Sequence, residues 1–206
     1  MLRVGLTGGI ASGKSTVAAM LRARGCHVLE MDPIGHELLQ PSGTAYAEVV
    51  GEFGTEVLDP KGAVDRRRLG AIVFADERKR ERLNAILHPK ILERVGQWFG
   101  ARQRDGAGFA VVEAALIYEA GYDKQLDRMV VCWCRPEQQI ARLERRSLTR
   151  QQAQARINAQ MPIDEKRNLA DDVIDCSKSI EDTNRQTAAL IDTLKRLAAS
   201  GNISST

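Results

Sequence analysis

Gly8, Gly13, Lys14 and Ser15 stand at the spacing Gly-x-x-x-x-Gly-Lys-Ser inside the stretch GLTGGIASGKST, residues 5–16. These residue types at this spacing bind phosphate. Glycines let backbone amides turn inward around an anion, and a helix that follows aims its positive end at the same point. A lysine at position 14 can bridge β- and γ-phosphates, and a serine hydroxyl at position 15 can hold Mg²⁺. The expected cradle is therefore Gly9, Ile10, Ala11, Ser12, Gly13, Lys14, Ser15 and Thr16, with ATP and Mg²⁺ as its ligands and Ser15 as the metal-facing residue. The pattern is that of a P-loop, and it requires a strand before it and a helix after it.

Three carboxylates and a group of arginines add to this. Asp32 closes the run CHVLEMD at 26–32, placing a carboxylate at the edge of a sheet where ligands bind. It can orient a hydroxyl, take its proton, hold Mg²⁺ through water, or simply cap the helix that follows. Glu30 lies two residues earlier and can share its face. Glu113 sits among apolar neighbours in VVEAAL, where a charge needs a partner. It reads either as a Walker B-like carboxylate or as the partner of a buried arginine. Arg142, Arg145, Arg146, Arg150 and Arg156 crowd one helical pair, with Arg142 and Arg146 on a shared face. Such a pair suits a lid that surrounds phosphoryl oxygens and excludes water, or a solvated face supported by Glu137 and Glu144.

The elements that must position these residues are legible in outline. LRVGLTG at 2–8 reads as a strand, KSTVAAMLRARG as a helix ending at Gly25, and CHVLEMD as a second strand. GFAVVEAAL at 108–116 and DRMVVCWC at 127–134 are apolar runs suited to a parallel sheet covered by helices, and VID at 173–175 is a short last strand. Between them, residues 36–107 read as helices without a strand of their own. They include a turn at Asp59–Gly62, a helix start at Asp65, and a helix that Pro89 should kink or restart. The segment 136–161 is helical, broken near Ser147–Thr149 with Thr149 as a cap, and an amphipathic helix follows 179. The tail GNISST is expected to fray. The expected fold is thus α/β, a three-layer αβα P-loop kinase core with a parallel sheet, a helical substrate lobe and a helical lid. As one domain of 1–206, its core would take 1–35 and 108–206, its insertion 36–107 and its lid 142–166.

Composition narrows the partners. A net charge of +3 is too small for the basic stripe of a nucleic-acid binder, and arginine outnumbers lysine, which favours small phosphate-bearing molecules. Four cysteines, Cys26, Cys132, Cys134 and Cys176, include a C-x-C pair with no second pair to complete a metal site, so buried free thiols are expected. The sequence shows no signal peptide or transmembrane run, which sets a cytoplasmic expectation without a membrane partner. A distal guanine-reading box is missing, and the chain is short for a motor. What remains is ATP-dependent phosphorylation of a small, anionic acceptor, by a monomer or weak homo-oligomer.

The ordered series of segments resembles the dephospho-CoA kinase family over nearly the whole chain. GLTGGIASGKSTVA, Glu30-Met31-Asp32, DRRRLGAIVF at 65–74, LHPKI at 87–91, VVEAALIYEAG at 111–121 and ARINAQMPIDEKRNLADDVID at 155–175 carry the likeness. The last includes Arg156, Gln160, Lys166 and Ala170-Asp171. The resemblance implies transfer of the ATP γ-phosphoryl group to the ribose 3′-hydroxyl of dephospho-CoA, the last step of coenzyme A synthesis. It implies Asp32 as general base or aligning group, with Lys14 and Arg142 as its catalytic companions. Arg66, His88, Pro89 and Lys90 would join Asp32 in binding the acceptor, although His88 also suits a structural role. The chain departs from the family pattern at Ala11, at Glu30-Met31, at His36 where arginine is common, at Cys176 where asparagine is usual, and in a short turn at Arg146–Leu148. Another small-molecule P-loop kinase is the nearest competing reading, and a non-catalytic nucleotide-binding regulator the second.

Overall fold

The computed structural model describes residues 1–201 of the chain; the expected fraying of the tail concerns residues that fall, Gly201 apart, outside them. Five strands form one sheet: β1 (Leu2–Thr7), β2 (Val28–Glu30), β3 (Phe109–Glu113), β4 (Arg128–Trp133) and β5 (Asp172–Asp175), in the order β2-β3-β1-β4-β5. β1 runs parallel to β3 and to β4, and β4 runs parallel to β5. Leu2, Val4, Leu6, Val111, Val130 and Ile174 are buried, as continuous apolar strands covered on both faces must be. The helix α1 (Lys14–Ala23) contributes Val17, Ala18 and Leu21 to the same core, and α9 (Ile180–Ser200) contributes Leu190, Ile191 and Leu194. The last three lie three or four residues apart on one helical stripe, which is why the amphipathic period of the final segment was readable.

The chain divides into two compact units, one of residues 1–29 with 99–206, the other of residues 30–98. The second holds α2 (Asp32–Leu38), α3 (Tyr46–Phe53), α4 (Arg66–Ala75) and most of α5 (Glu77–Arg104). Its turn at Asp59–Gly62 forms because Asp59 Oδ1 accepts from the amides of Lys61 and Ala63, at 2.8 and 3.0 Å. A single antiparallel bridge, Leu58 to Val64, closes that turn. Asp65 caps α4, accepting from the amides of Arg67 and Arg68.

α5 departs from expectation. It runs 28 residues with Pro89 inside it, without restarting. The reason lies in the sides of the helix. Leu87, Ile91, Val95 and Phe99 recur every fourth residue on either side of the proline, and Val95 and Phe99 are buried. Pro89 and Ala85, whose carbonyl loses its usual amide partner, are exposed, so water can replace the missing bond.

In the first unit, α6 (Pro136–Glu144), α7 (Arg150–Asn158) and α8 (Ile163–Asn168) follow β4. The break between α6 and α7 falls where expected. Ser147 takes a left-handed φ of 66°. Thr149 caps α7 by accepting from Gln152 N at 3.2 Å, while Gln152 Oε1 accepts from Thr149 N at 2.9 Å. That reciprocal pair is a capping box.

Candidate active site

The order β2-β3-β1-β4-β5 places β1 centrally, with β3 on one side and β4 on the other. In such sheets the crevice beyond the carboxyl end of the central strand binds ligands. The loop carrying Gly9, Ile10, Ala11, Ser12 and Gly13 leaves β1 at that end, and Lys14, Ser15 and Thr16 form the first turn of α1. Gly13 caps α1 at φ 114°, where a Cβ would meet Cys176 Cβ and Sγ, both at 2.9 Å. Only glycine satisfies both constraints. No side chain caps α1 at Gly13, and no acidic residue lies in its first turn, so its leading amides suit an anion. Ser15 and Thr16 are exposed. The Ser15 hydroxyl fits one oxygen position of a Mg²⁺ ion held largely by phosphate and water. Among the described residues no group of three or more His, Cys, Asp or Glu is placed to hold a metal.

The buried Glu113 has its partner here. Its register places it opposite Leu6 at the end of β3, and its carboxylate pairs with Lys14 Nζ rather than with an arginine. The pairing satisfies a carboxylate that is only 6 % exposed and holds the lysine at the rim of the loop.

Arg142 approaches the loop from α6. Its Nη1 donates to the carbonyls of Ala11 at 3.0 Å and Ser12 at 3.1 Å, and its Nη2 donates to the Cys176 carbonyl at 2.6 Å. The guanidinium thus joins the phosphate loop to the segment after β5. Ala11 itself is left-handed, with φ 59°. That conformation costs an L-residue with a Cβ roughly 1–2 kcal/mol, which is the physical cost of an alanine at this place in the loop.

Two glutamines complete the frame around the loop. Gln139 Nε2 donates to the Ile10 carbonyl at 2.7 Å, and Gln160 Oε1 accepts from the Ile10 amide at 2.8 Å. Gln139 was missed as a functional candidate. It shares a buried helix face with Leu143, and a glutamine at a core position four residues from a leucine was the available signal. Next to Gln160, the Met161 amide donates to Glu119 Oε1 at 2.9 Å. Glu119 pairs with the fully buried Lys166 at 2.7 Å, which also donates to the Ala115 carbonyl at 2.7 Å. Burial pushes the Lys166 pKa down, and the Glu119 carboxylate opposes that shift.

The cysteines are all free thiols, with Cys132, Cys134 and Cys176 buried beside this site. Cys176 directly follows β5. It packs beneath Gly13 and hydrogen-bonds to the Ile174 carbonyl at 3.6 Å.

The helical unit carries the other expected residues. Asp32 is exposed as the first residue of α2, following the carboxyl end of β2, and makes no capping bond there. The strand stops at Glu30, so Asp32 lies past the strand rather than in its last position. Pro33 at the start of α2 explains the early turn into helix. His36 is held below its ordinary pKa by burial and the Arg66 cation, while Asp32 pulls it upward; the three side chains are thus electrostatic neighbours. Arg66 is exposed at the start of α4. His88, Pro89 and Lys90 lie mid-α5, where Lys90 Nζ pairs with Glu48 at 2.7 Å and burial lowers the His88 pKa.

A P-loop, a buried carboxylate on its lysine and an arginine-bearing helical pair define an ATP-dependent phosphotransferase of the P-loop kinase class. The Dephospho-CoA kinase family model matches residues 2–182. The Dephospho-CoA kinase of Symbiobacterium thermophilum is 44 % identical over 187 residues, covering 90 % of this chain and 78 % of that protein. Among solved structures, TT1252 from Thermus thermophilus aligns with a TM-score of 0.82 at 32 % identity, covering 94 % of this chain and 97 % of that one. The Dephospho-CoA kinase from Campylobacter jejuni aligns at 0.71 and 26 %, again covering 94 % and 97 %. The chain belongs to the dephospho-CoA kinase family, whose reaction is phosphoryl transfer from ATP to dephospho-CoA. Among the described residues no helix is long and apolar enough to cross a membrane.

Proposed function

We propose that this chain transfers the γ-phosphoryl group of ATP to the ribose 3′-hydroxyl of dephospho-CoA, giving coenzyme A and ADP. The observation that carries the reading is family membership over residues 2–182 together with an intact phosphate loop. The amides of Ala11 and Gly13 and the α1 N-terminus hold the triphosphate, and Lys14 neutralises charge between its β- and γ-groups. Glu113 keeps the Lys14 ammonium at the loop before nucleotide arrives. Mg²⁺, held through the Ser15 hydroxyl, supplies further charge neutralisation on the phosphates. Arg142 stiffens the loop by its backbone bonds and adds positive potential. Asp32 orients the acceptor hydroxyl. In a loose transition state the hydroxyl loses its proton late, so alignment matters more than strong basicity. Arg66, His88, Pro89 and Lys90 belong to the acceptor lobe, 36–107, and 142–166 form the lid. The enzyme acts as a monomer or weak homo-oligomer in the cytoplasm.

The test offers ATP with dephospho-CoA, AMP, CMP or shikimate and follows ADP. Release with dephospho-CoA alone supports the reading, and turnover of AMP in its place overturns it. Asp32→Asn is expected to cut turnover at least 100-fold with ATP affinity within about twofold, because only the acceptor loses its partner. Equal loss of both would exclude the acceptor-facing role.

A further inference from the structure

Ile10 is gripped at both edges of its backbone, by Gln139 at its carbonyl and by Gln160 at its amide. Gln139 is 2 % exposed and lies so close to the loop that a Cβ on Gly9 would collide with its Nε2. Gln160 is also fixed, because the neighbouring Met161 amide is tied to Glu119 and, through it, to Lys166.

The consequence follows from peptide planarity. In a trans peptide the carbonyl and the amide point in opposite directions. With the Ile10 carbonyl turned to Gln139, the Ala11 amide must face the other side. With the Ile10 amide turned to Gln160, the Gly9 carbonyl faces away, where it accepts from Ser12 N at 3.1 Å and closes the turn. Flipping the Ile10–Ala11 peptide would exchange an amide for a carbonyl oxygen on the side now held by the amide, and a carbonyl repels an anion. The backbone of Ala11 favours that flip. Its φ of 59° is a strained value for alanine, and rotating the peptide carries φ towards the relaxed negative region. Glycine would have no such bias.

We propose that Gln139 is a positioning residue for the triphosphate, holding the Ile10–Ala11 peptide with its amide towards the phosphates against the preference of Ala11, while Gln160 holds the preceding Gly9–Ile10 peptide. This rests on the reading of the loop as the ATP cradle.

Gln139→Met keeps an unbranched chain of similar size and removes the bond to the Ile10 carbonyl. The expected result is a rise of about tenfold in the ATP dissociation constant by calorimetry and in the KM for ATP. The KM for dephospho-CoA stays within twofold. Adding Ala11→Gly to Gln139→Met recovers most of the lost ATP affinity, since the glycine loop no longer resists the clamped orientation. A packing defect at residue 139 would not respond to that second change. Unchanged ATP affinity in Gln139→Met, or an equal loss with and without Ala11→Gly, overturns the proposal. Should thermal unfolding show Gln139→Met to be misfolded, Gln139→Leu carries the same cycle with the same outcomes. The binding arm uses ATP alone, so a failure to phosphorylate dephospho-CoA would count against the function and leave this result readable.

Discussion

At the scale of single residues, the phosphate loop is tuned by atoms that the motif itself does not mention. Lys14 and Ser15 follow from spacing, but the carboxylate that holds Lys14 comes from Glu113, about a hundred residues later. The reading of Glu113 as needing a partner was sound because a buried charge is costly. Of its two readings, a Walker B-like carboxylate or the partner of a buried arginine, the second named the wrong cation, because the lysine's direction is set by the loop's exit from β1. Ala11 is the residue where sequence and structure meet most directly. Its place as the odd member of the loop was visible, and its left-handed φ of 59° supplies the physical cost. Replacing it with glycine relieves roughly 1–2 kcal/mol of strain. Against this, glycine loses about 0.5–1 kcal/mol through the freer unfolded chain. Ala11→Gly should therefore stabilise the protein by about 0.5–1 kcal/mol, seen as a rise of roughly 2 °C in Tm. A lower Tm would mean that the alanine methyl makes a compensating contact.

At the scale of elements, helices and strands were read well where apolar period and capping residues agreed. The capping box at Thr149 and the cap at Asp65 are local chemistry, complete within four residues. Pro89 shows where local chemistry misleads. Taken alone it says break, yet the apolar row of Leu87, Ile91, Val95 and Phe99 continues across it, and burial at 95 and 99 outweighs one lost hydrogen bond. The helix still bears that loss. Pro89→Ala should restore the bond to the Ala85 carbonyl and raise unfolding stability by about 2 kcal/mol. That figure is the cost of an interior proline less its rigidifying effect on the unfolded chain. Urea unfolding measures it, and stability unchanged or lowered would show that the helix has already adapted around the ring. If Pro89 serves the acceptor lobe, the same variant raises the KM for dephospho-CoA, and stability and function move in opposite directions.

Across the whole molecule, stability should depend on pH through the two histidines whose pKa values are lowered. Burial and Arg66 depress His36, and burial depresses His88. Above about pH 6.5 both are neutral in the folded and the unfolded chain, so neither changes the balance. Below it the unfolded chain takes up protons that the folded chain resists. Stability is therefore full above that value and falls as pH drops through the depressed folded values. Thermal unfolding at pH 7.5, 6.5 and 5.5 should show a falling Tm, with a shallower fall in His88→Gln. Equal slopes in the two proteins would remove His88 from the account.

By itself the sequence determined the phosphate chemistry, the parallel strands, the caps and the family. Each of these is written in neighbouring residues: glycine spacing, apolar period, a hydroxyl three places before a glutamine. Only the tertiary structure decided how the cradle is held. The loop's carbonyls meet Arg142 and Gln139, its Ile10 amide meets Gln160, and its lysine meets Glu113. Those partners lie about 100 to 150 residues from the loop. No local pattern encodes them, because strand order brings them together, and hydrogen bonds depend on distance and direction rather than on separation along the chain.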